Sequence, residues 1–188
     1  MDKLVIDIET SNTFADIGGS QNMDRFNVSL VGIYSYNRNE YLAFEGHQLE
    51  ECLSIIQKAG LIIGFAINRF DVPILNSKCN YNMMAMNRLD LLDEIELASG
   101  RRISLNILSQ VNLGASKLHE SGLEAIKLFK EGRIQELKDY CLQDVKLTKD
   151  LYELIKKQGY VMVPDKITGV LSKVNLNLIE ADIPATLF

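Results

Sequence analysis

The sequence contains no tryptophan, and only three of its 188 residues are cysteine. Cys52, Cys79 and Cys141 form no Cys-x-x-Cys pair, which argues against a structural zinc site and against a disulfide framework. Basic residues are also few, since 20 lysines and arginines stand against 25 acids. The net charge of −5 excludes nucleic-acid binding through a broadly basic surface, so any such binding must use a few local cations or bound metal ions.

Long apolar runs are missing as well. The run that begins at residues 61–63 is far too short to span a bilayer, and the N-terminus lacks the basic and apolar segments of a secretory signal. These absences predict a cytoplasmic protein with no membrane partner. A length of 188 residues suits one domain, and a hydrophobic fraction of 47% suits a packed core. We expect this domain to cover residues 1–160, with residues 161–188 as a C-terminal extension packed on it.

The apolar pattern predicts strands first and helices later in the chain. Strands are predicted at residues 4–6, 28–36, 41–44 and 61–63, and helices at 49–59, 70–79, 89–97, 105–111, 122–130 and 133–158. Residues 11–27 and 64–69 are predicted loops, and Gly60 is a predicted helix C-cap. Residues 160–188 are expected to form one or two small strands or a docking tail. This order predicts an α/β fold with a mixed central sheet flanked by helices.

Asp7 and Glu9 lie at the end of the first predicted strand. Their spacing of two puts both side chains on one face of the strand. Neighbouring carboxylates repel each other unless a cation lies between them, and hard oxygen ligands suit Mg²⁺ or Mn²⁺. The alternative is a strand end that turns into solvent, where acids are ordinary.

Two further acids lie in suggestive positions. Asp71 is at the N-terminus of a predicted helix, and by itself this position favours a helix cap. Asp144 lies near the apolar stripe of the long predicted helix, with Tyr140 four residues earlier on the same face. Aspartate is a poor residue for a helix interior. The alternative for Asp144 is a surface pair with Lys146 or Lys149.

Together these segments resemble the motifs of the DEDD exonuclease superfamily, the ribonuclease H-like group that includes polymerase proofreading domains. Residues 4–10 (LVIDIET) resemble its first motif, residues 64–75 (GFAINRFDVPIL) its second, and residues 140–144 (YCLQD) its third motif in the tyrosine form. The histidine form does not match, because residue 139 is aspartate. The resemblance runs from residue 4 to about residue 155 and implies a ribonuclease H-like fold.

The resemblance also implies a metal-dependent 3′–5′ exonuclease that hydrolyses phosphodiester bonds at single-stranded DNA or RNA 3′ ends. Two divalent cations, Mg²⁺ or Mn²⁺, would be bound by four carboxylates: Asp7, Glu9, Asp71 and Asp144. One ion would activate a water and the other would stabilise the leaving 3′ oxygen. Tyr140 would orient the attacking water. A polymerase or helicase partner is left open.

Other residues have supporting roles in this interpretation. Thr10 and Asn68 would contact the substrate or support the metal ligands, and Lys117 would contact phosphates. Phe70 is expected to pack in the core, with stacking on a base as the alternative. Asp90 is expected on a helix face, with a supporting role behind the site as the alternative.

Two other functions are compatible with parts of the sequence. A strand ending in Asp-x-(Asp/Glu)-Thr also resembles haloacid dehalogenase-type phosphatases, but Glu9 and the Tyr140/Asp144 pair favour the exonuclease. The second alternative is a degenerate nuclease fold that serves nucleic-acid binding or scaffolding. The presence of all four carboxylates counts against it.

Overall fold

The structure, a computed structural model, describes residues 1–116 and 122–180. Its central sheet contains β1 (Asp2–Thr10), β2 (Val28–Ser35), β3 (Glu40–Glu45), β4 (Ala59–Gly64) and β5 (Arg88–Asp90), in the spatial order β3-β2-β1-β4-β5. The strand β1 is antiparallel to β2 and parallel to β4, while β2 and β3 are antiparallel and β4 and β5 are parallel. The predicted α/β fold with a mixed sheet is confirmed.

Helices pack on both faces of this sheet. They are α1 (Phe14–Ile17), α2 (Leu49–Ile56), α3 (Asp71–Asn76), α4 (Leu91–Ser99), α5 (Leu105–Leu113), α6 (Gly122–Lys130) and α7 (Ile134–Gln158). Short 3-10 helices occur at Ser20–Arg25, Gly46–Gln48 and Met83–Ala85, and a hairpin of β6 (Tyr160–Pro164) and β7 (Leu171–Asn175) follows α7. Within the described residues, no helix has both the length and the apolar character needed to cross a bilayer.

The side chains of β1 alternate between two hydrophobic cores, as expected for a strand covered on both faces. Leu4 and Ile6 belong to the core that includes α2 and α3. Val5 belongs to the core that includes α7. Asp7 and Glu9 continue the face of Val5 and therefore point towards α7. The predicted shared face of the two acids is confirmed.

The long helix α7 follows its predicted bounds closely. Its buried residues recur with helical periodicity, and they include Leu137, Cys141 and Leu151. Gly159 ends the helix with a φ of 73°, a left-handed conformation that favours glycine. Because one face of α7 covers β1 and β2, the helix fixes its polar residues relative to the sheet.

Three local predictions were wrong. Gly60 is not a helix cap but lies in β4, which begins at Ala59 because that residue pairs with Asp2. Residues 89–97 are not one helix, since β5 precedes α4. The predicted loop at residues 11–27 contains α1 and a 3-10 helix, because Thr13 and Asp16 form a reciprocal capping box at the start of α1.

After β7 the chain returns across the core that includes α7. Leu176 and Leu178 are buried in this core, and the amide of Leu176 donates to the carbonyl of Gly159 over 2.9 Å. We call residues 176–180 the C-terminal strap. The predicted small strands in the tail are confirmed as β6 and β7, whereas residues 181–188 lie outside the described part of the chain.

Glu180 anchors the end of the C-terminal strap. Its carboxylate forms ion pairs with Lys156 at 2.7 Å and Lys3 at 3.4 Å, and it accepts a hydrogen bond from Tyr152. Burial raises the pKa of Glu180, but the Lys156 and Tyr152 hydrogen bonds and the Lys3 charge outweigh it and lower the pKa to about 2. The strap is therefore held by an ionised carboxylate at neutral pH.

The depressed pKa of Glu180 predicts a pH-dependent contribution to stability. A lowered folded-state pKa gives stability that is complete above the unfolded value of 4.5 and is lost as the pH falls towards about 2. Glu180→Gln should lower the free energy of unfolding at pH 7 by about 1 to 2 kcal/mol, with the partly exposed site favouring the lower figure. Urea unfolding of both proteins should show this difference constant from pH 7 to pH 5 and shrinking below pH 4.5.

The matched control for this prediction is Glu40→Gln at an exposed position of β3. It should change the free energy of unfolding by less than about 0.5 kcal/mol at each pH. A Glu180→Gln difference that stays constant down to pH 3 would contradict the assigned role of the carboxylate charge.

Candidate metal centre

Asp7 and Glu9 lie next to Cys141 of α7. Glu9 is 8% exposed and Asp7 is half-buried. One ligand atom from each of Asp7, Glu9 and Cys141 lies within 4.8 Å of the other two. The Cys141 thiol donates to the backbone carbonyl and to Oδ2 of Asp7, in both cases over 3.6 Å. The sequence therefore brings two carboxylates and a thiol together at the junction of β1 and α7.

Asp71 of the second motif contacts the same strand, β1. It is the first residue of α3 and is 5% exposed. Its Oδ1 accepts a hydrogen bond of 3.1 Å from the amide of Ile8, the residue between Asp7 and Glu9. The N-cap position itself is occupied by Phe70, which makes no side-chain capping bond. The Asp71 carboxylate is thus directed to β1.

The third motif presents one buried helical face to β1. Tyr140 and Asp144 are each 4% exposed, and Cys141 is fully buried between them. The close approach depends on Gly32 of β2, which pairs with Asp7 in the sheet. A Cβ atom at Gly32 would lie 2.8 Å from the sulfur of Cys141, so only glycine lets α7 sit this close.

Burial and the carboxylates of the first motif raise the pKa values of two groups in the third motif. Burial raises the pKa of the Tyr140 hydroxyl above its ordinary value, and the carboxylates of Glu9, Asp144 and Asp7 raise it further. Burial and the same three carboxylates also raise the pKa of the Cys141 thiol. Both groups are therefore protonated at neutral pH and can act as hydrogen-bond donors. Tyr140 is suited to orienting a water molecule, not to acting as a phenolate base.

The lysines considered as partners of Asp144 pair elsewhere on α7. Lys146 forms an ion pair with Asp150, and Lys149 lies 2.9 Å from Glu153. Asp144 is instead part of the buried face that includes Tyr140 and Cys141. Its position fits a site between the helix and the sheet better than a surface ion pair.

The loop of the second motif is held from behind by Asp90. Gly64 allows the turn, because a Cβ atom there would lie 2.1 Å from a methyl group of Ile67. Asp90 is 3% exposed, and its carboxylate accepts hydrogen bonds from the amides of Ala66 at 2.8 Å and Asn68 at 2.9 Å. It also caps α4 by accepting from the amide of Leu92 at 3.0 Å. The supporting role considered for Asp90 therefore describes it better than a helix-face acid.

Asn68 contributes its side chain to this loop. Its amide nitrogen donates to Asp93 over 2.8 Å, and its amide oxygen accepts from Arg88 over 3.0 Å. These bonds fix the loop that leads into Asp71. A substrate contact by Asn68 stays a prediction.

A partly aromatic cleft of about 280 Å³ adjoins Glu9 and Thr10. Phe70 packs against Phe26 and Phe14, with ring centroids 5.2 and 5.8 Å apart, and all three rings line the cleft. Thr10 is 7% exposed and donates to the backbone oxygen of Asn12 over 3.0 Å. Phe70 thus packs against other aromatic rings, as expected, and also forms a wall of the cleft.

Lys117, the predicted phosphate contact, lies outside the described residues.

The sequence interpretation missed Cys141 and Gly32. Cys141 could have been found, because it lies three positions before Asp144 and therefore shares its helical face. The role of Gly32 depends on pairing between strands and packing against a distant helix, which no local pattern reveals.

The donor set fits divalent cations. Among the described residues, the carboxylates of Asp7 and Glu9 lie together with the Cys141 thiol. Asp71 contacts the backbone between the two acids, and Asp144 lies on the buried face of α7, but neither belongs to this cluster of ligand atoms. Carboxylates at such close quarters oppose each other's ionisation, and a divalent cation relieves this repulsion. Carboxylate oxygens are ligands that Mg²⁺ and Mn²⁺ prefer.

Comparison with known proteins agrees with the fold. A family model described as the RNase_H superfamily matches residues 4–156. The solved family B DNA polymerase from the hyperthermophilic archaeon Pyrobaculum calidifontis is similar, with a TM-score of 0.64, 17% identity, and coverage of 83% of this chain and 24% of the polymerase chain. The chain thus spans about a quarter of that polymerase, and no curated protein matches it. On the strength of the family model, which covers most of its length, the chain belongs to the RNase H superfamily.

Proposed function

We propose that this protein is a metal-dependent 3′–5′ exonuclease of the tyrosine-type DEDD group. The observation that carries the proposal is the contact between Asp71 and the amide of Ile8. It directs the carboxylate of the second motif to the strand segment that holds Asp7 and Glu9. The sequence resemblance implies that Asp71 binds metal together with these two acids, and a simple helix cap would not require this contact.

Two divalent cations, Mg²⁺ or Mn²⁺, would be held by Asp7, Glu9, Asp71 and Asp144. When bound, they would supply positive charge to the attacking water and to the leaving 3′ oxygen. They would also attract the phosphate backbone to a protein whose net charge is −5.

The other residues would position the substrate and the water. Tyr140 keeps its proton and can orient the attacking water through its hydroxyl group. Thr10 lines the partly aromatic cleft, where an unpaired nucleotide could stack against Phe14 and Phe70. Asn68 would support the loop before Asp71, and Lys117 would contact phosphate.

An end-labelled degradation assay tests the proposal. With Mg²⁺ or Mn²⁺, a 5′-labelled single-stranded DNA or RNA should shorten from its 3′ end and release mononucleotides. A 3′-terminal phosphorothioate linkage should slow the first step, and EDTA should abolish the reaction. Comparing DNA with RNA in the same assay defines the sugar preference.

Three results would contradict the proposal in different ways. Cleavage of circular single-stranded DNA would indicate an endonuclease. Hydrolysis of p-nitrophenyl phosphate without any nuclease activity would favour the phosphatase alternative. Binding of single-stranded nucleic acid without degradation in either metal would favour a non-catalytic binding module.

A further inference from the structure

Cys141 introduces a soft ligand into an otherwise hard donor set. The thiol is fully buried against Gly32, and its sulfur lies 3.6 Å from Oδ2 of Asp7. Mg²⁺ gains little from sulfur, whereas Zn²⁺, Co²⁺ and Cd²⁺ bind thiolate strongly. The group Asp7, Glu9 and Cys141 therefore differs in chemistry from the four-carboxylate set proposed for the exonuclease.

The spacing of these atoms suits a tetrahedral ion. Zn–S and Zn–O bonds of about 2.3 and 2.1 Å at a tetrahedral angle place sulfur and oxygen about 3.6 Å apart. The observed separation between the Cys141 sulfur and Asp7 Oδ2 is 3.6 Å. The three ligand atoms lie within 4.8 Å of one another, so the Glu9 carboxylate lies beside the other two donors.

We infer that Asp7, Glu9 and Cys141 form a binding site for a thiophilic divalent cation such as Zn²⁺, which competes with the hard ions of the exonuclease and inhibits it. On binding, the S–H bond of Cys141 breaks, its proton passes to solvent, and a sulfur–metal bond forms without oxidation or reduction. The inhibition rests on the proposed function, because both binding modes use Asp7 and Glu9. The binding itself does not depend on nuclease activity.

Cobalt(II) is the probe that tests the site without a nucleic-acid substrate. Wild-type protein titrated with Co²⁺ should develop a near-ultraviolet thiolate-to-cobalt charge-transfer band. Cys141→Ala should lose this band, and calorimetry should show Zn²⁺ bound at least about tenfold more weakly than by the wild type. In the wild type, micromolar Zn²⁺ should also inhibit Mg²⁺-dependent degradation, and added Mg²⁺ should relieve the inhibition.

The matched control is Cys52→Ala. Cys52 is also fully buried, but it belongs to the core on the other side of the sheet. Cys52→Ala should keep the cobalt band and the Zn²⁺ affinity. Circular dichroism checks that both variants fold, and Cys141→Ser replaces Cys141→Ala if the latter does not.

Two results would overturn the inference: Co²⁺ binding by the wild type without a thiolate band, or a band that persists in a folded Cys141 variant. The wild-type spectrum decides the first point even if no Cys141 variant folds. If the wild type degrades nucleic acid but shows no thiolate band with Co²⁺, this cation site is contradicted and the proposed exonuclease function is not. A band that depends on Cys141 in a protein without nuclease activity would support the site and contradict the proposed function.

Discussion

Asp71→Asn is expected to lower the rate of mononucleotide release by about three to five orders of magnitude, because metal ligands act as a unit. The substitution is informative because asparagine keeps an amide oxygen that can still accept the hydrogen bond from Ile8. The fold around β1 should therefore persist while the negative charge is lost. Single-turnover degradation of a 5′-labelled strand measures the effect, and the urea midpoint confirms folding.

This result separates a metal ligand from a structural acceptor. If Asp71 only anchored α3 to β1, Asp71→Asn would keep most of the activity. The matched control is Asp139→Asn, an exposed acid on α7 whose rate should stay within about threefold of the wild type. If Asp139→Asn lowered the rate as much as Asp71→Asn, the rate would depend on negative charge in general and not on the carboxylate at position 71.

Because the metal ligands act as a unit, the losses of rate caused by two ligand substitutions should be strongly non-additive. Asp7→Asn alone should cost about as much as Asp71→Asn, and the double variant should be little worse than either single variant. Independent contributions would instead multiply, giving a double variant with the product of the two losses. Such multiplication would contradict a shared pair of cations.

The sequence predicted those features of the fold that depend on local periodicity. The 25-residue α7 and its stop at Gly159 were visible because apolar residues recur over seven turns of helix. Strand β1 was visible because a short apolar run precedes Asp7. The common face of Asp7 and Glu9 follows from the two-residue repeat of any strand, so it needed no knowledge of the tertiary structure.

The features that the sequence did not predict arise from contacts between distant segments. Strand β5 has only three residues and exists because it pairs with β4, so its sequence was merged with α4. Gly60 resembled a helix stop until pairing with the N-terminal strand placed it in β4. Such non-local pairing overrides local propensity in short segments.

The candidate site shows the same division. Asp71 looked like a helix cap from its local sequence, and only the fold reveals that its carboxylate reaches the amide of Ile8. Asp90 likewise looked like a helix-face acid, although it holds the loop before Asp71 through two backbone amides. Each acid accepts a hydrogen bond from a segment about 20 to 60 residues away in the sequence: Asp90 from Ala66, and Asp71 from Ile8.

Gly32→Ala is expected to reduce activity by about a hundredfold although residue 32 has no chemical role, because displacement of reacting groups by about 1 Å can cost that much. The new Cβ would lie 2.8 Å from the sulfur of Cys141 and 3.0 Å from a methyl group of Val145. Both neighbours are buried on α7, so the helix should move away from β2 and carry Tyr140 and Asp144 away from the acids of β1. The overpacking should also lower the free energy of unfolding by about 1 to 3 kcal/mol.

The cause can be isolated with a second substitution at the point of contact. Gly32→Ala/Cys141→Ala removes the sulfur that the new methyl group would meet, so the double variant should be more stable than Gly32→Ala alone. Gly122→Ala adds a methyl group where no atom of the described residues lies within 4 Å, and it should leave the free energy of unfolding unchanged or slightly raised. If Gly32→Ala matched the wild type in both stability and rate, the separation between α7 and the sheet would not limit the reaction. If the double variant recovered no stability, Val145 rather than Cys141 would set the closest approach of the helix.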